Sequence, residues 1–180
     1  LTSIPQCPVN YIKINSEKNH YWKYKLKKLK KLKIGFFYKG LLESFIEKNI
    51  PLTSFKTISN MNIDLICLHK QEEIQNDINK CTFKDKIHFF DIDKEKAFED
   101  TIAILHNIDL VITIDSSIVH LAGAMGVNTW LLLGNGSDWR WFDNENKCLW
   151  YENVELLRVK EEIKLKNIMT RVEEKLKILM

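Results

Sequence analysis

The stretch LVITIDSSIVHLAGAMG, residues 110–126, decides the fold class. Its first five residues are apolar or β-branched throughout, as in a central strand of a parallel sheet. The residues from 117 onward are typical of a helix, and Gly126 is a plausible C-terminal stop for it. A buried strand that passes directly into a helix indicates an α/β domain.

The rest of the chain repeats this alternation of strands and helices. Apolar runs predict further strands at 33–40, 63–69, 86–92, 129–133 and 154–159, and helical spacing predicts helices at 18–31, 51–58, 96–108 and 161–180. The sequence therefore predicts an α/β fold with a mainly parallel sheet of about six strands flanked by helices.

Composition excludes several classes of protein. The chain has 180 residues, 45% of them hydrophobic and 28% charged, and its net charge is only +3, so the whole chain is not expected to bind nucleic acid. No run of 18 apolar residues predicts a transmembrane helix. The four cysteines form no C-x-x-C pair, and no spacing of His, Asp and Glu suggests a metal site. The chain begins with Leu, which we interpret as a piece of a longer protein.

Basic charge is concentrated in KYKLKKLKKLK, residues 23–33, which holds seven lysines. Residues 1–32 are interpreted as a connector followed by an amphipathic basic helix. The lysines fit a solvated helix face, and they also fit contact with a membrane surface or a polyanion.

The main candidate site lies where the strand 110–114 ends. In parallel sheets, ligands bind at the carboxyl ends of strands beside helix N-termini. Asp115 or Ser116 can cap the helix, while Ser117 and His120 lie on one face of its first turn. These residues fit a plain helix cap, which is the commoner arrangement, and they also fit an anion site suited to a diphosphate.

The loop GNGSDWRWFDNENKCLW, residues 134–150, is the second unusual stretch. Trp139 and Trp141 could offer a flat face to a nucleotide base, with Arg140 as a cation for its phosphates. Alternatively, one or both tryptophans cover the end of the sheet. Well-known nucleotide and hydrolase motifs are absent: there is no G-x-G-x-x-G, no G-x-x-x-x-G-K-[ST] and no G-x-S-x-G.

The residues from 98 to 158 resemble a known family. The pattern D-[TS]-x-x-x-H-[LI]-A-x-A is matched by Asp115, Ser116, His120, Leu121, Ala122 and Ala124, and it is followed by D-W-R-W at 138–141 and W-Y at 150–151. This part is similar to the C-terminal, donor-binding lobe of GT-B glycosyltransferases of the heptosyltransferase (family 9) type. It is most similar to bacterial versions that often follow tetratricopeptide repeats.

The resemblance implies a Rossmann-like lobe of a GT-B fold at 33–160, with the helix 161–180 packed on it. This lobe would bind a nucleotide-diphosphate sugar as substrate, without a metal or other cofactor. The implied donor-binding residues are Gly40, Lys48, Asp115, Ser116, Ser117, His120, Trp139, Arg140 and Trp141. Among them, Ser116, Ser117 and His120 would face the diphosphate, and Asp115 would cap the helix or orient a hydroxyl.

The family's acceptor lobe, which supplies the catalytic base, would lie outside these residues, so the catalytic residue itself is unknown. The implied acceptor is a glycan, a lipid-linked molecule or a protein, and the implied location is the cytoplasm or the inner membrane surface. The segment GLLESFIEKN, residues 40–49, departs from the family's small basic loop and leaves Lys48 as its only base. This departure leaves open a catalytically degenerate binding or scaffold module attached to a repeat protein. A GT-B epimerase, a different sugar-nucleotide enzyme that uses the same lobe, also stays open.

Overall fold

The computed structural model describes residues 10–40, 49–70, 72–93, 98–134, 138–142, 148–159 and 168–180. Within them, six strands form one sheet: β1 (Leu32–Phe37), β2 (Ile63–Cys67), β3 (Ile87–Phe89), β4 (Leu110–Ile114), β5 (Thr129–Leu133) and β6 (Val154–Arg158). The order is β3-β2-β1-β4-β5-β6, and every pairing is parallel. This is the strand order of a doubly wound Rossmann-like fold, so the predicted fold class is confirmed.

Helices cover both faces of this sheet. The described α-helices are α1 (Ser16–Leu26), α2 (Glu72–Asn79), α3 (Glu99–Leu105), α4 (Ser117–Ala124) and α5 (Ile168–Leu179), and 3-10 helices span Leu52–Thr57, Lys84–Lys86 and Trp139–Trp141. One face packs against α1, α3 and α4. The other packs against α2, α5 and the 3-10 helix at Leu52–Thr57.

The alternation of side chains along β1 shows how the two faces are built. Ile34 and Phe36 point into one core, together with Phe55 and Met169, and all four are fully buried. Gly35 lies against the other face, where a Cβ would come within 2.6 Å of Ile108. The strand is therefore buried on both sides, as its near-continuous apolar sequence requires.

Several elements differ from the prediction. The strand predicted at 86–92 is shorter, and β3 covers only Ile87–Phe89. The sequence did not predict α2, whose only apolar residues, Ile74 and Ile78, are one turn apart and buried. The helix predicted at 51–58 is a 3-10 helix preceded by Pro51. Residues 161–167 of the predicted closing helix lie outside the described residues.

The basic helix belongs to the packed body. Trp22 and Leu26 of α1 are buried in the core against α3, while the lysines at its C-terminal end are exposed or partly exposed. The Trp22 indole donates a 2.8 Å hydrogen bond to Asp100, which lies in the first turn of α3. None of the described helices is long and apolar enough to cross a membrane.

Candidate functional site

The candidate site lies between the carboxyl ends of β1 and β4, which are neighbours in the sheet. The chain leaving β4 forms α4 on one face, whereas the chain leaving β1 continues to the 3-10 helix Leu52–Thr57 on the other. The two connections thus diverge at this point. A crevice at such a topological switch point is where open α/β sheets bind ligands.

Ser116, rather than Asp115, caps α4. Ser116 has extended backbone angles (φ −158°, ψ 172°), and its hydroxyl accepts a 3.3 Å hydrogen bond from the N–H of Ile118. A second contact of 3.2 Å joins this hydroxyl to Thr113 Oγ1 in β4. The Ser116 hydroxyl is therefore engaged within the chain, and the expectation that it faces a ligand stays a prediction. A helix cannot satisfy its first N–H groups internally, and such groups are a common element of anion sites.

Asp115 lies one residue before the cap and is partly buried, and Ser117 is exposed at the start of the helix. At its C-terminus, α4 stops before Gly126, as predicted, and Gly126 has a positive φ of 71°. There the N–H of Val127 bonds to the carbonyl of Ala122, which closes the helix.

His120 is the fourth residue of α4, and two aromatic rings hold its side chain. Its ring stacks on Trp141 with centroids 5.4 Å apart and meets Tyr151 edge-on at 5.9 Å. Its Nδ1 lies 3.2 Å from the Tyr151 hydroxyl, and either group can donate, depending on the histidine tautomer. The imidazole is therefore fixed in orientation, with one nitrogen held by the protein.

The surroundings of His120 have opposing effects on its pKa. Burial lowers its pKa below the usual value, and the nearby Arg140 lowers it further. The carboxylates of Asp115 and Asp138 act in the opposite direction but do not cancel these effects. The imidazole is consequently held neutral near pH 7, and an arriving anion would favour its protonation.

The D-W-R-W segment forms a short 3-10 helix beside His120. The Asp138 carboxylate accepts a 3.1 Å hydrogen bond from the N–H of Arg140 and makes a 3.2 Å ion pair with its guanidinium. The Trp150 indole donates a 2.7 Å hydrogen bond to the carbonyl of Arg140. From β6, Arg158 donates to the carbonyl of Trp141, so side chains distant in sequence fix this turn.

The two tryptophans of this segment differ in exposure. Trp139 is 71% exposed, whereas Trp141 is 1% exposed and packs in a core cluster with residues of β5 and β6. Trp141 therefore covers the end of the sheet and supports His120 with its ring. An open aromatic face is available only at Trp139.

Two buried donors in this segment lack a partner. Trp141 Nε1 and Arg140 Nε have no hydrogen-bond acceptor among the residues that the structure describes. A buried N–H without an acceptor costs about 1–3 kcal/mol, so each such group calls for an explanation, and a bound ligand or water is one. Both belong to residues that adjoin His120.

Across the crevice, Gly40 is already engaged within the chain. Its N–H donates a 2.8 Å hydrogen bond to the side chain of Asn49, and Asn49 is followed by Ile50, whose N–H bonds to Tyr38. Lys39 makes a 3.8 Å ion pair with Asp77. Lys48 lies outside the described residues.

The structure thus brings His120, Arg140, Trp141 and Asp115 together. Sequence reasoning missed the part that Tyr151 plays in this group, although the W-Y pair at 150–151 was a visible signal. Tyr151 also packs on Gly123 of α4, where a Cβ would meet its ring at 2.4 Å. The absence of a side chain at Gly123 is what allows Tyr151 to reach His120.

Comparison with known proteins places the fold. No protein-family model matches the sequence, and no curated protein is significantly similar to it. Among solved structures, the glycosyl transferase family 9 protein from Veillonella parvula DSM 2008 superposes with a TM-score of 0.66 at 16% identity, over 93% of this chain and 53% of that chain.

Two E. coli proteins are similar in the same way. The ADP-heptose lps heptosyltransferase II matches with a TM-score of 0.67 at 16% identity, over 97% of this chain and 53% of that one. Heptosyltransferase WaaC, solved with ADP-2-deoxy-2-fluoro heptose, matches with a TM-score of 0.61 at 10% identity, over 88% and 48%. At these identities the likeness establishes the fold alone, and the chain spans about half the length of these structures.

Proposed function

We propose that this chain is the donor-binding lobe of a glycosyltransferase and that it holds the diphosphate of a nucleotide-diphosphate sugar at the N-terminus of α4. The observation that carries the proposal is a pair of buried donors beside His120, Trp141 Nε1 and Arg140 Nε, which have no acceptor among the described residues. The backbone N–H groups of the first turn of α4 add to them, and the helix dipole favours negative charge there.

The fold comparison supports the same ligand class. The solved structures that share this fold include a heptosyltransferase bound to ADP and to a fluorinated ADP-heptose analogue. The residue pattern from Asp115 to Ala124 resembles that family independently of the fold. The exposed Trp139 is the residue assigned to stack on the base or the sugar.

The chemical work of this lobe is to hold and neutralise the leaving group. During transfer, an oxygen of the acceptor forms a bond to the anomeric carbon and gives its proton to the base outside this chain. The bond between the anomeric carbon and the diphosphate oxygen breaks, and its electron pair goes to that oxygen. Preorganised donors around the diphosphate stabilise this developing charge. No metal is part of the proposal, because Arg140 and the α4 N-terminus supply positive charge.

In this proposal the chain is the C-terminal lobe of the protein. The acceptor lobe and the catalytic base are assigned to parts of the protein outside this chain, where tetratricopeptide repeats are a further proposed element. The acceptor would be a glycan, a lipid-linked molecule or a protein. The protein would act in the cytoplasm or at the inner membrane surface.

The test is calorimetric titration of the full chain with ADP, UDP and GDP and their sugar derivatives. We expect one of these series to bind and His120→Ala to weaken it by roughly 10-fold or more, as expected for a lost hydrogen bond to a charged group. Trp141→Phe keeps an aromatic ring, although a smaller one, and removes the Nε1 donor, so it should weaken binding of the same ligand.

The matched control is His106→Ala, which removes an exposed imidazole at the end of α3. This variant should bind like the parent protein. Failure of all three nucleotide series to bind would contradict the proposal and favour the scaffold alternative. Equal affinity of His120→Ala and the parent would remove the role assigned to His120.

A further inference from the structure

A cavity lies at the amino ends of β1 and β4, whereas the candidate donor site lies at their carboxyl ends. It is formed by the C-terminal end of α1, the turn that leads into β1, and Asn107 after α3, and its volume is about 620 Å³. Cavities of roughly 300–1,000 Å³ are typical of small-molecule sites. Because strands β1 and β4 begin here, this cleft is separated from the crevice at their carboxyl ends by the length of the strands.

The charged residues that line this cleft are all basic. They are Lys23, Lys27, Lys30 and Lys33, with His20 beside them, and none of the described residues that line the cleft carries a carboxylate. Of these lysines, Lys33 lies 3.9 Å from Asp109, whereas the other three form no ion pair with any residue in the described part of the chain. Several unpaired cations facing one cavity favour an anionic occupant.

The remaining lining is apolar and aromatic. Leu26 and Leu29 are buried and form its floor, and Tyr24 is 78% exposed at its rim. A tyrosine with this exposure can lie against the uncharged part of a ligand while its hydroxyl donates to a phosphate oxygen. The cleft thus combines cations, a hydroxyl donor and an apolar base.

Other lysines in the same run do not face the cleft. Lys28 and Lys31 are exposed but do not line it. Lys25 is turned away as well, because its ammonium lies 4.8 Å from the ring of Trp22 and 2.9 Å from the Tyr21 hydroxyl. The run is therefore divided into lysines that line the cleft and lysines that do not.

We propose that this cleft binds a phosphate-bearing anion through Lys23, Lys27 and Lys30, with Tyr24 against its uncharged part. This chemistry is shared by the headgroup of an anionic phospholipid and by a soluble phosphorylated metabolite. The site is independent of the donor site, because none of its residues lies at the carboxyl edge of the sheet.

The test compares two double variants with the same change in charge. Lys27→Gln with Lys30→Gln removes two cations from the cleft, and Lys28→Gln with Lys31→Gln removes two from the same run outside it. Binding is measured to phosphatidylcholine vesicles with and without phosphatidylglycerol, and separately to glycerol 3-phosphate in solution. All variants are checked for an unchanged melting temperature.

We expect the cleft pair to lose roughly 10- to 30-fold in affinity and the outer pair to lose much less. Binding to phosphatidylglycerol vesicles but not to glycerol 3-phosphate assigns the headgroup as the source, and binding to glycerol 3-phosphate assigns a soluble ligand. Equal losses for the two pairs would overturn the proposal, because they indicate diffuse attraction by the whole run. Absence of binding to either probe would overturn it too.

Titration of the His120→Ala variant separates this site from the donor site. The variant should retain parental affinity for the cleft's probe even where nucleotide binding is lost. If His120→Ala lowered the affinity for the phosphate probe as much as the affinity for the nucleotide, the probe would occupy the site at the carboxyl ends of the strands. The cleft proposal would then be wrong.

Discussion

Gly123 offers a direct test of how the site is assembled, through the substitution Gly123→Ala. In a helix interior this change ordinarily stabilises by about 0.5–1 kcal/mol, because alanine loses less backbone entropy on folding. Gly123 has ordinary helical backbone angles, so alanine fits the local conformation. Its Cβ, however, would lie 2.4 Å, 2.6 Å and 2.8 Å from three ring atoms of Tyr151.

The clash with Tyr151 determines whether Gly123→Ala raises or lowers the free energy of unfolding. Carbon atoms pack at about 3.5–4.0 Å, so the Tyr151 ring must move by roughly 1 Å. Overpacking of this kind costs about 1–3 kcal/mol, which leaves a net destabilisation of about 0–2.5 kcal/mol after the gain in helix propensity. The displacement also lengthens the 3.2 Å contact between Tyr151 and His120, so affinity for the donor should fall with stability.

Urea unfolding of a double-mutant cycle measures this contact. In a Tyr151→Ala background the ring is gone, and Gly123→Ala should stabilise by about 0.5–1 kcal/mol. The coupling between the two positions should then be about 1–3 kcal/mol. The reasoning is refuted if Gly123→Ala is stabilising in the parent chain, since the ring would then yield without cost and would not be what positions His120.

Three further results are expected. Asp100→Asn should destabilise the protein by about 1–3 kcal/mol in urea unfolding. Burial alone would raise the Asp100 pKa, but the hydrogen bonds to its carboxylate lower that pKa. The parent should therefore lose this stability as pH falls below about 4, whereas the variant should not. Because burial lowers the His120 pKa, stability should fall as pH drops below about 6.5, and NMR titration should show a diphosphate raising that pKa. Arg158→Gln should release the carbonyls of Trp141 and Phe142, detectable as altered tryptophan fluorescence and weaker donor binding with little change in far-UV circular dichroism.

The central strands could be predicted from sequence with correct bounds. Residues 110–114 and 129–133 are strands at the predicted positions because a strand buried on both faces is apolar at every residue. The edge of the sheet was less predictable. The partly exposed β3 has only three residues, and the apolar residues that follow it lie outside any strand or helix.

The helix α2 was missed because its sequence, EEIQNDIN, carries little apolar signal. Ile74 and Ile78 are enough to dock it, since both are buried in the core beside β2. Such docking depends on what the rest of the fold presents, and a local window of sequence does not contain that information.

The candidate site was predictable in outline but not in detail. The position of Ser116 and His120 follows from a strand–helix junction in a parallel sheet, which local sequence can indicate. Which tryptophan is buried depends on hydrogen bonds from two later residues. Trp150 bonds to Arg140, 10 residues before it, and Arg158 bonds to Trp141, 17 residues before it. Contacts of that range are fixed by the tertiary fold, so Trp139 and Trp141 could not be distinguished beforehand.

The strand order has a consequence for how the chain reaches this fold. β1 is the first strand in sequence, yet it lies in the middle of the sheet, and Gly35 pairs on one side with Ile66 and on the other with Val111. The second pairing closes a long loop, which is entropically costly and slows folding. Until β4 is available, one edge of β1 has no strand to pair with, so a nascent chain would carry an apolar, unpaired edge of the kind that promotes aggregation.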